Sequence, residues 1–174
     1  MEPAFFLSRP MEFEPYRPHR RFRPRCLFLG MIFGWVVAIY VPSALIAAFG
    51  LAPPGTPNGI LAATWHMTDE IGPFAKLTFA ALAAAFFLGT RLAPMPRALR
   101  TAADAALGAL AMFLLLAFLP ADWSRGIGIG LSGERFDPAI LPIYLLGGAL
   151  AGLTFSLADA RCGELRYADP TTRT

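Results

Sequence analysis

The sequence predicts an all-α integral membrane protein: four transmembrane helices in one bundle, with both termini in the cytoplasm. Three observations predict it. Of the 174 residues 56% are hydrophobic and 16% charged, and mean hydropathy is +0.52; a soluble domain carries about 25% charged residues. The apolar residues gather in four long runs, and about 20 helical residues cross a hydrocarbon core of about 30 Å. Basic residues alternate between the segments that flank those runs, as the positive-inside rule requires.

The first span covers residues 26–49, CLFLGMIFGWVVAIYVPSALIAAF, and is closed by Gly50 and the breaker APPGTPNG. The second covers 74–92, FAKLTFAALAAAFFLGTRL, with Pro73 at its start, where a missing N–H costs nothing. The third, 102–119, reads AADAALGALAMFLLLAFL and stops at Pro120. The fourth, 139–158, follows Asp137 and Pro138, a capping residue and a first-turn residue. None of the runs alternates with period two, so all read as helices rather than strands. In the outer loop after the first span, ILAATWHM can form one interfacial helical turn.

The charge pattern supports the count of four independently. Arg9, Arg17, Arg20, Arg21, Arg23, Arg25, Arg91, Arg97, Arg100, Arg161, Arg166 and Arg173 fall on one side. Only Lys76, Arg125 and Arg135 fall on the other, which makes the first side cytoplasmic. Arginine outnumbers lysine so heavily that a GC-rich bacterial genome is the simplest source, and the expected location is the bacterial cytoplasmic membrane. The chain divides into a Pro/Arg-rich arm (1–25), a transmembrane domain (26–160) and a tail (161–174). Pro10, Pro15, Pro18 and Pro24 keep the arm extended. Its Arg17, Arg20, Arg21, Arg23 and Arg25 adjoin a span, where each basic residue gains about 1 kcal/mol from anionic headgroups. They read as a site for lipid headgroups or a partner, not for nucleic acid. The arm also fails as a secretory signal, because the apolar run that follows is long enough to span and lacks a small-residue cleavage site.

Chemistry is sparse. The span centres hold no ionisable residue, whereas proton-coupled transport depends on such groups. Lys76, Asp104 and Asp159 lie near span ends, where Lys76 can meet Asp69 or Glu70, and Asp104 follows Arg100 at helical neighbour spacing. A b-type haem needs paired axial histidines, but His19 sits in the arm and His66 in an outer loop. His66 is the one candidate ligand, for a pigment or quinone; no metal and no cofactor beyond bound phospholipids is expected. Cys26 and Cys162 form neither a zinc pattern nor a CxxC pair and read as lone thiols. GIGIGLSG at 126–133 lacks the Lys-Ser/Thr of a phosphate loop. No nucleophile–base pair appears, so no catalytic residue is assigned; a membrane enzyme acting on lipid, with interfacial residues such as His66 or Asp69 in its site, is a third reading.

Packing surfaces are clearer. Gly30 and Gly34, and Gly148 and Gly152, form GxxxG pairs, and Ala105 and Ala109 lie on a small-residue face of the third span. Small residues four apart let helix backbones approach closely in lipid. The expected role is a non-catalytic accessory or assembly subunit that binds larger integral-membrane subunits and anionic lipids. The alternative is a small subunit of a transporter or channel for a neutral or weakly polar solute, with Ser43, Thr78, Thr90, Thr154 and Ser156 along its path.

Overall fold

Among the described residues four helices are long and apolar enough to cross a membrane, as the four apolar runs predict. The computed structural model describes residues 24–118 and 136–165. They form α1 (Pro24–Ala48), α2 (Ile60–Glu70), α3 (Pro73–Leu92), α4 (Arg97–Phe118) and α5 (Leu141–Leu165). All but α2 are candidate spans, with mean hydropathies from 1.4 to 2.0. Helices of this length and apolarity suit a multi-pass membrane protein.

Helix ends depart from the apolar runs for a physical reason. Apolarity marks the stretch suited to lipid, whereas a helix continues wherever its backbone hydrogen bonds can form. α4 therefore begins at Arg97 rather than 102, with the Arg100 N–H donating to Pro96 O at 3.0 Å. Asp104 consequently lies two turns inside α4, not at its edge. α5 likewise runs beyond residue 158, which brings Cys162 into the helix. At its start Asp137 Oδ1 accepts the Ala139 N–H at 2.7 Å, and Asp137 O accepts the Leu141 N–H at 2.9 Å. α1 ends in a Schellman motif: Leu51 N–H donates to Ile46 O, Gly50 N–H donates to Ala47 O, and Gly50 takes a φ of 68° that side chains disfavour.

The single turn expected near ILAATWHM is a helix of 11 residues, α2. It buries Ala63, Thr64, Met67 and Thr68, packs on α1, and leaves Leu61 and Trp65 exposed. A short amphipathic stripe of this kind is too brief to stand out in a hydropathy scan.

α5 is the hub of the bundle, packed along α1 on one side and α4 on the other, while α3 lies against α4 and touches α1 less. Contacts between α1 and α5 run in opposite order along the two helices. Gly30 faces Phe155, Gly34 faces Ala151 and Gly147 faces the ring of Pro42, so the pair is antiparallel. α4 and α5 do the same, with Gly108 against Gly148 and Gly152 against the backbone of Asp104 and Ala105. A β-carbon on Gly30 would stand 2.9 Å from the Phe155 ring, and one on Gly34 would stand 2.9 Å from Ala151 O. At these positions glycine serves close approach. Trp35 adds a tie from α1 to α3 by donating its indole N–H to Lys76 O at 3.0 Å.

The expectation of two lone thiols is overturned. Cys26 and Cys162 form a disulfide across a Cα–Cα distance of 5.6 Å. Antiparallel packing brings the start of α1 beside the end of α5, a closeness that a sequence separation of 136 conceals.

Candidate functional site: an arginine held between two aspartates

Three charged side chains, Arg91, Asp104 and Asp159, meet at one end of the helical body, where α3 finishes, α4 begins and α5 finishes. Arg91 is in the last turn of α3, a position where a cation suits the helix dipole. Its Nη1 lies 3.0 Å from Asp104 Oδ2 on α4, and its Nε lies 3.2 Å from Asp159 Oδ2 on α5. The Asp104 side chain has no exposure, against 10% for Arg91 and 17% for Asp159. One planar guanidinium thus bridges two carboxylates and ties three helices, a geometry that a single ammonium cannot reproduce.

Directed hydrogen bonds supplement the charge. Thr90 Oγ1 lies 2.6 Å from Asp104 Oδ1 and 2.8 Å from Phe87 O, yet a hydroxyl has one hydrogen to give. The ionised acceptor at the shorter distance takes it. Arg91 Nη1 in turn donates to Thr90 Oγ1 at 3.2 Å, completing a chain from guanidinium to hydroxyl to carboxylate. Asp104 Oδ2 and Arg91 Nε are close to their ionic partners without aligned hydrogen bonds, so these two contacts act through charge. Beneath them Arg91 Cζ sits 4.7 Å from the centre of the Phe155 ring, which stacks on Phe87 at 4.5 Å. The ring faces favour the cation and shield it from solvent.

A second polar tie joins α4 and α5, with the Thr101 and Ser156 hydroxyls 3.0 Å apart. On the outer side of α4 a shallow apolar groove is lined by Arg97, Ala98, Thr101, Ala102, Ala105 and Leu153.

The structure pairs Asp104 with Arg91 on a neighbouring helix rather than with Arg100, whose Nη2 donates to Met95 O at 3.1 Å. Glu70 lies beside His66, with Oε1 3.7 Å from Nδ1 and both side chains half-exposed on α2. Among the described residues no group of three metal-ligating side chains surrounds His66 or any other position. Gly30, Gly34, Gly148 and Gly152 lie at helix contacts within the chain; Ala105 packs on Gly152 and borders the groove, and Ala109 is half-buried. Arg25 is exposed in the first turn of α1, while Arg17, Arg20, Arg21 and Arg23, like the glycine-rich segment 126–133, lie outside the described residues. Sequence reasoning treated Arg91 as a marker of topology and missed its role. The available signal was its position inside the second apolar run, beside Thr90.

Comparison with protein families, with characterised proteins and with solved structures finds no match for this chain.

Proposed function

We propose that the chain is a non-catalytic accessory or assembly subunit of a larger complex in the bacterial inner membrane, with both termini cytoplasmic. The observation that carries this reading is the bridge of Arg91 to Asp104 and Asp159, which engages the buried charges of three helices with one another. A cluster so arranged braces helices. Four of the five hydroxyls considered for a polar path are engaged too: Ser43 donates to Ile39 O, Thr78 to Phe74 O and Thr90 to Asp104, while Ser156 meets Thr101. The apolar outer surface, with Phe28, Phe33, Leu77, Leu88 and Phe118 exposed, and the α4 groove suit phospholipid chains and the helices of a larger subunit. Orientation follows from the basic residues concentrated at the end where α1 begins and α5 finishes.

The test is extraction of the tagged chain from native membranes in mild detergent, followed by native mass spectrometry. A larger membrane subunit at fixed stoichiometry is expected, together with bound phospholipid. Recovery solely as a lone chain across several mild detergents defeats the reading.

A further inference from the structure

The disulfide and the arginines point to opposite compartments. Cys26 and Cys162 join the first and last spans at the end of the bundle where basic residues concentrate. Basic flanks mark the cytoplasmic face, yet the cytoplasm keeps thiols reduced, and disulfides there are typically transient and redox-linked. We propose that Cys26 and Cys162 form a reversible redox site, opened by a cytoplasmic dithiol and closed by a thiol oxidant. The inference rests on the N-in, C-in orientation proposed above.

Three features of the fold suit this role. First, the adjacency of the two cysteines is set by packing and not by the bond. Gly30 against Phe155 and Gly34 against Ala151 hold α1 to α5 in the next turns, and the Arg91–Asp159 pair holds the end of α5 one turn before Cys162. The thiols therefore stay within reach of one another when the bond opens, and closure needs no rearrangement. Second, the two sulfurs differ in access. Cys26 is 3% exposed and Cys162 is half-buried, so an incoming thiolate meets Cys162 Sγ first. Attack there forms a mixed disulfide and expels Cys26 as a thiolate, which takes up a proton. The second thiol of the dithiol then attacks the mixed disulfide, releases Cys162 as a thiol and leaves the reductant as a cyclic disulfide. Two electrons and two protons reach the cysteines. Closure is the reverse exchange with a disulfide oxidant, or oxidation of both thiols by an azo reagent such as diamide, which becomes the hydrazine. Third, Cys26 immediately follows the N-terminal arm and Cys162 stands at the start of the C-terminal tail. The redox state thus decides whether the roots of the two cytoplasmic segments are tied together.

The experiment uses the full chain in intact bacterial cells. Cells are quenched in acid before and after brief diamide treatment, and free thiols are labelled with a maleimide–polyethylene glycol that retards the chain on a gel. Cys26→Ser and Cys162→Ser supply single-thiol standards. In parallel, fusions at each terminus to reporters active on only one side of the membrane read the orientation. The expected result is cytoplasmic termini, two labels in untreated cells, loss of both labels after diamide, and their return with dithiothreitol. A dithiol reductant lacking its second thiol is expected to be trapped on Cys162, and trapping on Cys26 overturns the order of attack. Cytoplasmic termini with no label in untreated cells overturn the proposal, because the bond is then fixed. Labels that persist through diamide overturn it as well, because the thiols then never close. Termini on the outer face remove the orientation it rests on, and the cysteines become an ordinary structural bridge; the reporter arm makes that failure distinct from the others.

Discussion

Arg91 is the residue on which the buried charges converge, with Asp104 and Asp159 on either edge of its guanidinium and Phe155 under its face. Removing one member of a buried ionic group leaves an uncompensated charge, which costs about 3–5 kcal/mol. Arg91→Ala is therefore expected to destabilise by that amount, read as a lower thermal midpoint of the purified chain in detergent. Arg91→Lys keeps the charge but cannot reach both carboxylates at once, and a smaller loss than that of Arg91→Ala is expected. The combined variant Arg91→Met, Asp104→Leu, Asp159→Leu removes the charges together. It is expected to recover most of the stability lost by Arg91→Ala, since well-packed apolar replacements of buried ionic groups are often neutral or stabilising. A triple variant as unstable as the single one would mean that the cluster does more than brace.

At the scale of the helices, the glycines separate into those at contacts and those in open space. A β-carbon at Gly152 would meet the backbone of Asp104, and one at Gly108 would meet the backbone of Gly148. Backbone cannot yield as a flexible side chain does, so Gly152→Ala and Gly108→Ala must push α4 and α5 apart. Overpacking of this kind costs about 1–3 kcal/mol. Gly89, exposed on α3, has nothing within 4 Å of its would-be β-carbon. Gly89→Ala is therefore expected to be neutral, or to stabilise by about 0.5–1 kcal/mol through helix propensity. Thermal midpoints of the three variants, measured side by side, check the contrast. The small-residue spacing that makes such contacts possible was legible in the sequence. The choice of neighbour was not, because GxxxG states only that a close approach is allowed. Gly89 also lies in an apolar run, and nothing local separates it from Gly108.

For the whole molecule, the Cys26–Cys162 bond closes nearly the entire helical body into one loop, with a sequence separation of 136. In the chain-entropy account a loop of that length contributes about 5 kcal/mol. Helices that stay inserted when the bundle opens lose less freedom than a chain unfolding in water, so this figure is an upper bound. Cys26→Ser combined with Cys162→Ser is expected to lower the thermal midpoint of the oxidised protein. Dithiothreitol is expected to lower the wild type towards the same value and to leave the variant unchanged. An equal shift in both would show that the reductant acts elsewhere.

Four apolar runs and the placement of the arginines determined the helices long enough to span and their number, because both depend on composition summed over many residues. The partners of Asp104 and Cys26 were decided only by tertiary structure. Each depends on which helix lies beside which. Arg91 meets Asp104 and Asp159 because α3, α4 and α5 bring their ends together, and Cys26 meets Cys162 because α1 runs antiparallel to α5. Spacing along the chain carries no trace of such neighbours, since a helix contact joins residues whose separation is set by the length of everything folded between them.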